Sequence, residues 1–240
     1  MASGFAGFPK EALTFFRGLK KNNDREWFLA HKAVFEEQVK APMVELVTAL
    51  NQALAKFAPA YVTEPAKAIY RIYRDTRFSP DKTPYKTHIA ALFTSRGLGK
   101  HSSGSLYFSV SPEAVEVAGG IYMPGPDELL AVRSHLVEHH LRLLGILKSR
   151  QLRSLMGELK GEKLTRVPRG FPCDHPAADL IRMKEWYVFA QLDPELATTP
   201  KLFSELVKRF RAMTAMSDFL NEPLRPVRRD FGQVAMARFR

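Results

Sequence analysis

The sequence contains one cysteine, Cys173, among 240 residues, so no disulfide can form within the chain. A lack of disulfides is typical of reducing compartments, and we expect a cytoplasmic protein. No apolar run approaches the roughly 18 residues that a membrane-spanning helix needs, so we expect no membrane span. The first residues also lack the basic and long apolar regions of a secretory signal, which favours the same compartment.

Sequence signatures of common catalytic and cofactor sites are also missing. The chain has no phosphate-binding P-loop, no dinucleotide-binding glycine pattern and no Gly-x-Ser-x-Gly nucleophile turn. His135 and His139 have the i, i+4 spacing of a metal-binding pair, but no third ligand lies near them in the sequence. Cys173 has cationic neighbours but no evident base partner. We therefore predict neither a metal site nor a cofactor.

Positive charge is in excess. Lysine and arginine number 36 against 25 aspartates and glutamates, which gives a net charge of +11 and a pI of about 9.8. Such an excess favours anionic partners, namely nucleic acid, an acidic membrane surface or phosphorylated small molecules. Hydrophobic residues make up 45% of the chain and include 17 phenylalanines, so the composition predicts a packed core and not a disordered chain.

Apolar periodicity predicts helices at both ends of the chain. The first runs from Pro9 to Leu19, and the second follows an N-cap at Asn23 and continues to about Lys40. We expect a break at Pro42 because proline lacks the backbone N–H that a helix interior requires. Helical spacing then resumes, and two long helices are predicted over 126–149 and 201–219.

Between the helices the pattern changes to strands. Residues 67–74 alternate with period two, and further short strands are predicted over 89–94, 105–110, 114–118 and 185–192. Their close spacing favours an antiparallel meander. We therefore predict an α+β fold, with an antiparallel or mostly antiparallel sheet of about five strands packed with four to six helices. One domain is expected over 1–224, followed by a basic tail over 225–240 that is ordered only where it docks.

The segment 71–88 has the densest charge, with five cations and two aspartates in 18 residues. Guanidinium and ammonium groups at this density suit phosphate or carboxylate ligands. We expect Arg74, Arg77 and Lys86 to reach one anion-sized site. The full set of candidate ligand-binding residues in this segment is Arg71, Arg74, Arg77, Lys82, Tyr85 and Lys86. Two alternatives remain open: Asp75 and Asp81 pair with the arginines in a rigid corner, or they act catalytically with His88.

A second basic segment, 163–176, adds Arg166 and Arg169 to the candidate ligand-binding residues. Within it, the Asp174-His175-Pro176 sequence is typical of a helix start with an acidic cap before proline. The functional alternative is that His175, oriented by a carboxylate, transfers protons as a general base.

Four motifs in this sequence resemble those of one family. They are NNDREWF at 22–28, RDTRFSPDKTPYKTH at 74–88, GGIYMP at 119–124, and PRGF with DHP at 168–176. Together they resemble the bacterial and fungal domain-of-unknown-function family numbered 2461 (DUF2461) over about residues 8–220. The resemblance implies no particular activity and assigns no catalytic residues.

Three classes of function are compatible with these residues. The leading hypothesis is binding of a phosphate- or carboxylate-bearing ligand by cations from 71–88 and 163–169. The second is nucleic-acid binding, in which aromatic residues among the cations stack on bases. The third is a hydrolase that uses Asp75 or Asp81 with His88 or His175.

Overall fold

The computed structural model describes residues 4–225. Helices α1 (Lys10–Lys21), α2 (Arg25–Ala30) and α3 (Lys32–Val34) lead into a π-helical stretch, Phe35–Lys40, and then directly into α4 (Ala41–Phe57). Pro42 lies in the first turn of α4, where a missing N–H costs little. The predicted break at Pro42 is therefore a change of helix type and not an interruption.

The N-cap of α2 is Asp24 and not the predicted Asn23. The Asp24 carboxylate accepts a hydrogen bond from the Trp27 N–H at 2.8 Å, as an N-cap side chain does. The capping prediction was therefore wrong by one residue, and Asn23 is free to bind elsewhere in the fold.

Four antiparallel strands form one sheet in the order β1 (Ile89–Thr94), β2 (Ser105–Val110), β3 (Val115–Ile121) and β4 (Trp186–Leu192). This confirms the α+β class, with one strand fewer than the approximate number expected. The remaining helices are α5 (Pro65–Ala68), α6 (Pro126–Leu147), α7 (Arg150–Met156), α8 (Ala178–Ile181) and α9 (Lys201–Asn221).

The missing strand is the one predicted over 67–74. Its first residues belong to α5, and the rest pairs through two isolated bridges, Ile69 to Ala91 and Tyr73 to Tyr85. From Ile69 to Tyr73 the chain advances four residues, whereas their partners Tyr85 and Ala91 are six residues apart. A regular antiparallel ladder needs equal spacings on both strands, so the pairing loses its register between the two bridges. The period-two pattern therefore marks an extended segment beside the sheet and not a regular strand.

Helix α9 covers one face of the sheet. Phe210 and Met213 of α9 are fully buried with Phe108 of β2 and Val117 of β3. Gly119 of β3 allows this close approach, because a Cβ there would lie 2.7 Å from the Met213 sulfur. Within residues 4–225, no helix has the length and apolar character needed to cross a membrane.

One hydrophobic cluster joins the N-terminal helices to the sheet and to α9. We therefore expect a single cooperative unfolding transition in scanning calorimetry, in keeping with one domain. Two resolved transitions, or a stable proteolytic fragment that ends near Lys160, would reveal a domain boundary instead. Apart from Arg225, the predicted basic tail lies outside the described residues.

Candidate functional site

A cavity of about 810 Å³ lies on the sheet face opposite α9, and we call it the sheet-face cavity. Its floor consists of the strand residues that point away from the helix. The pairing registers place Leu92, Tyr107, Ala118 and Phe189 in one row across all four strands. The floor is therefore largely apolar and aromatic, with Glu116 in the neighbouring row.

The side walls come from segments that flank the sheet. At the β1 edge, the Tyr70 N–H donates to the Ala90 carbonyl at 2.9 Å. At the β4 edge, Lys160 and Tyr187 exchange two backbone hydrogen bonds of 2.7 and 3.1 Å. These segments lie five strand spacings apart, or roughly 24 Å. The cavity therefore spans the width of the sheet.

Three lysines surround the cavity, each with its ammonium over an aromatic ring. Lys86 and Lys100 lie 5.1 and 4.6 Å from the centre of the Tyr70 ring, and Lys160 lies 4.9 Å from that of Phe189. In residues 4–225, six lysines form ion pairs with carboxylates, whereas these three, like several exposed lysines such as Lys82, form none. Because the side chain of each retains unused N–H donors, the cavity presents positive charge that is not paired with a carboxylate of residues 4–225.

Burial and neighbouring charge shift the pKa values around these lysines. Burial lowers the pKa of Lys86, and Arg71 and Lys100 lower it further. Burial also lowers the pKa of Lys100 and of His101 and raises that of Tyr70 to about 12. At neutral pH the His101 imidazole is therefore neutral and the Tyr70 phenol is protonated, so neither adds charge beside the lysines.

Glu116 is the one acidic residue among the described residues that line the cavity. Its Oε2 accepts a hydrogen bond from Ser109 Oγ at 3.1 Å, and its Oε1 accepts one from Gln191 Nε2 at 3.4 Å. Within residues 4–225 it forms no ion pair, so its charge is held by neutral donors alone.

The arginines of the 71–88 segment are occupied locally. Arg74 binds Asp81 and Thr83, and Arg77 donates two hydrogen bonds to Asp75 at 3.0 and 2.8 Å. Hydrogen bonds from Arg77 lower the pKa of Asp75 to about 2. Hydrogen bonds from the Thr83 backbone N–H and from Arg74 likewise lower the pKa of Asp81 to about 2. The structure thus has the salt-bridged corner that the sequence offered as one alternative.

Lys86 is the member of this segment that lines the cavity. Arg71 is exposed and contributes its carbonyl, which accepts from Lys86 Nζ at 3.1 Å. Lys82 is also exposed and donates to the Thr76 carbonyl at 2.9 Å. The structure therefore does not bring Arg74, Arg77 and Lys86 around one anion.

Tyr85 has a structural position. Its ring is buried and stacks on Phe28 with 4.3 Å between centres. Asn23 binds both backbone groups of Tyr85, accepting from its N–H at 3.0 Å and donating to its carbonyl at 2.9 Å. These contacts join the 22–28 motif to the 74–88 motif and fix the backbone beside Lys86.

The second basic segment lies beyond the β4 edge, with Arg166 and Arg169 exposed. The predicted acidic cap at Asp174 was wrong, because α8 begins later, at Ala178. His175 instead stabilises the turn before the helix: its Nδ1 accepts from the Ala177 N–H at 3.0 Å and its ring packs edge-on against His140.

The proposed hydrolytic residues are not brought together. Asp75 is exposed and ion-paired, His175 caps a turn, and neither lines the cavity. His88 precedes β1, and its pKa is lowered by burial and by Lys86. Among the described residues, no group of three His, Cys, Asp or Glu side chains is arranged to hold a metal ion.

Sequence reasoning missed most of the cavity. Tyr107 and Phe189 occupy the outward positions of strands that the sequence predicted, so alternation within those strands was a usable signal. Lys100 and Lys160 gave no signal, because Lys100 lies in the connection between β1 and β2 and Lys160 reaches the cavity through its bridge to Tyr187.

The chain was compared with known proteins. A family model described as "Conserved hypothetical protein (DUF2461)" matches residues 11–219. No curated protein and no solved structure matches. The matched region contains every residue that lines the sheet-face cavity. The family predicted from the four motifs is therefore confirmed, and the chain belongs to the DUF2461 family.

Proposed function

We propose that this protein binds a small organic anion with a flat apolar body in the sheet-face cavity. The observation that carries the proposal is the set of three lysines without carboxylate partners around an aromatic floor. A phosphate, sulfonate or carboxylate group satisfies the ammonium donors through charge-assisted hydrogen bonds. A planar ring covers the apolar floor, and a cavity of this volume accommodates a ligand of ordinary metabolite size.

The test uses anilinonaphthalene sulfonate, an aromatic anion whose fluorescence increases in apolar sites, with isothermal titration calorimetry to establish stoichiometry. We expect one site per chain. Substitution of Lys86 or Lys100 by methionine should weaken binding roughly tenfold or more, because each removes a charged donor while its apolar stem is kept. Lys160→Met should weaken it less, because Lys160 lies at the opposite edge of the sheet and acts on the anion from a distance.

Lys82→Met is the matched control. Lys82 belongs to the same charged segment as Lys86 but lies outside the cavity, so its substitution should leave the affinity unchanged. Thermal melting of each variant verifies that it is folded. Equal affinity in all four variants, or an equal loss for Lys82→Met, would place the anion outside the cavity and refute the proposal.

Binding should also weaken at alkaline pH. The pKa values of Lys86 and Lys100 are lowered, so these ammonium groups lose their protons at a lower pH than an ordinary lysine does. Because only the charged form attracts the anion, affinity should fall as the pH rises through those lowered values. A ligand bound through apolar contacts alone would show no such decrease.

Single-stranded nucleic acid is a second candidate ligand. The observation in its favour is that the rings of Tyr107, Tyr187 and Phe189 lie on one face of an antiparallel sheet with lysines at both edges. Such surfaces stack successive bases. An affinity for oligonucleotides that falls linearly on a log–log salt plot would support this candidate, since several phosphates then release counterions.

A further inference from the structure

The carboxylate of Glu116, which forms no ion pair with another of the described residues, faces a cavity whose other charged side chains are lysines. An anion-binding site gains nothing from a carboxylate that repels its ligand. The residue is nevertheless held in place by Ser109 and Gln191 on the two neighbouring strands. This arrangement indicates that the ligand has a hydrogen-bond donor at this position as well as an anionic group elsewhere.

The acceptor sites that remain free on Glu116 indicate which hydrogen-bond donor group the ligand carries. A carboxylate offers about four lone-pair sites, two on each oxygen. Ser109 occupies one on Oε2 and Gln191 one on Oε1, so each oxygen retains a site. Two acceptors side by side match two parallel N–H donors on one rigid group.

The anionic end of the ligand is defined by Lys86 and Lys100. Both ammonium groups lie over the same ring, that of Tyr70, so two like charges are held close together. A phosphate, which carries nearly two negative charges at neutral pH, neutralises both. Glu116 is on β3, three strand spacings or about 14 Å from the backbone of Tyr70, whose N–H pairs with Ala90 of β1, and the side chains at both positions line the cavity. A single nucleotide bridges such a distance, whereas free phosphate does not.

On the basis of the proposed function, we infer that the ligand is a guanine nucleotide or a close analogue of one. The phosphate binds Lys86 and Lys100, the base lies on the aromatic floor, and its adjacent ring N–H and amino group donate to Glu116. Adenine presents its amino group beside a ring nitrogen lone pair, which the carboxylate repels. Hypoxanthine has the ring N–H but lacks the neighbouring amino group, so it fills only one of the two acceptor sites.

The experiment is calorimetric titration of the full chain with GMP, IMP, AMP and ribose 5-phosphate. We expect GMP to bind at least about tenfold more tightly than IMP or AMP, since a charged hydrogen bond is lost with either. In Glu116→Gln the amide keeps one acceptor and places a donor against the base, so the preference should fall to about twofold or less. A 5′-phosphorylated guanine trinucleotide, titrated in parallel, distinguishes a free nucleotide from the end of a strand.

The outcomes separate this inference from the proposed function. Equal affinities for GMP, IMP and AMP, or a preference that survives in Glu116→Gln, would overturn the inference about the base. If no nucleotide binds while anilinonaphthalene sulfonate still requires Lys86, the inference likewise fails and the proposed function stands. If the sulfonate binds without dependence on the three lysines, the proposed function itself fails.

Discussion

Gly120→Ala is expected to lower the free energy of unfolding by about 3 kcal/mol or more, or to prevent folding. Gly120 lies in β3 with φ of +119°, a conformation that residues with a Cβ rarely adopt. A Cβ there would overlap the carbonyl oxygen of Trp186 and lie 2.8 Å from the Tyr187 Cα. Backbone strain and overpacking each cost about 1–3 kcal/mol, and here they act together.

Gly97→Ala is the matched control for this prediction. Gly97 also has positive φ, +82°, but a Cβ added to it meets no atom within 4 Å. Its substitution should cost only the strain, about 1–2 kcal/mol. Chemical denaturation of both variants measures the difference. Equal losses would mean that β4 moves away from Gly120 without penalty, which would contradict the tight packing of Trp186 described by the structure.

The second large effect is expected for Asn221→Leu, which should lose about 3 kcal/mol of unfolding free energy. The Asn221 side chain is fully buried at the end of α9. It accepts from the Gly104 N–H at 2.7 Å, donates to the Gly104 carbonyl at 2.8 Å and donates to the Tyr61 hydroxyl at 3.1 Å. Leucine preserves the approximate volume but leaves these buried groups without partners, at about 1–3 kcal/mol each before relaxation.

Asn51→Leu provides the comparison, because Asn51 binds both backbone groups of Thr63 in the same way, at 2.7 and 3.0 Å. Asn51 is only half-buried, so water can replace its hydrogen bonds and the loss should be about 1 kcal/mol. Urea denaturation of both variants tests the contrast. If Asn51→Leu were as destabilising as Asn221→Leu, burial would not be the determining factor.

Asn23, Asn51 and Asn221 share one role. Each amide accepts from the N–H and donates to the carbonyl of a single residue that is distant in sequence, namely Tyr85, Thr63 and Gly104 respectively. The amide thus substitutes for the pair of hydrogen bonds that a neighbouring strand would make. Asparagine is common at caps and turns, so nothing in the local pattern around Asn23 indicates this role.

The prediction of the fold succeeded where the signal was local. The strand over 105–110 and the helix over 201–219 were predicted from local sequence patterns, and β2 and α9 confirm both. The strand over 67–74 failed because strand formation depends on a continuous partner, which alternation within one segment cannot reveal. Periodicity in the sequence therefore predicted where helices and extended segments lie, whereas hydrogen-bond pairing between segments determined which extended segments became strands of the sheet.

A cavity residue was predictable from the sequence only where it also lies in a segment of high charge density. Lys86 was found because it lies in the most basic segment. Arg74 and Arg77 were selected for the same reason, yet their ion pairs with nearby aspartates leave them outside the cavity. Lys160 lies in an ordinary part of the sequence and lines the cavity through its bridge to Tyr187. Net local charge could not reveal which cations would lack partners.

The two extended segments that flank the sheet have a consequence for how the protein behaves when crowded. An outer strand with a free row of N–H and carbonyl groups is a template on which strands from other molecules add and aggregate. Here, residues near Ile69 occupy part of the outer edge at β1, and Lys160 occupies part of that at β4. Their irregular pairing offers an approaching strand only short, out-of-register stretches. The sheet thus carries its own protection against fibril-like growth at both ends.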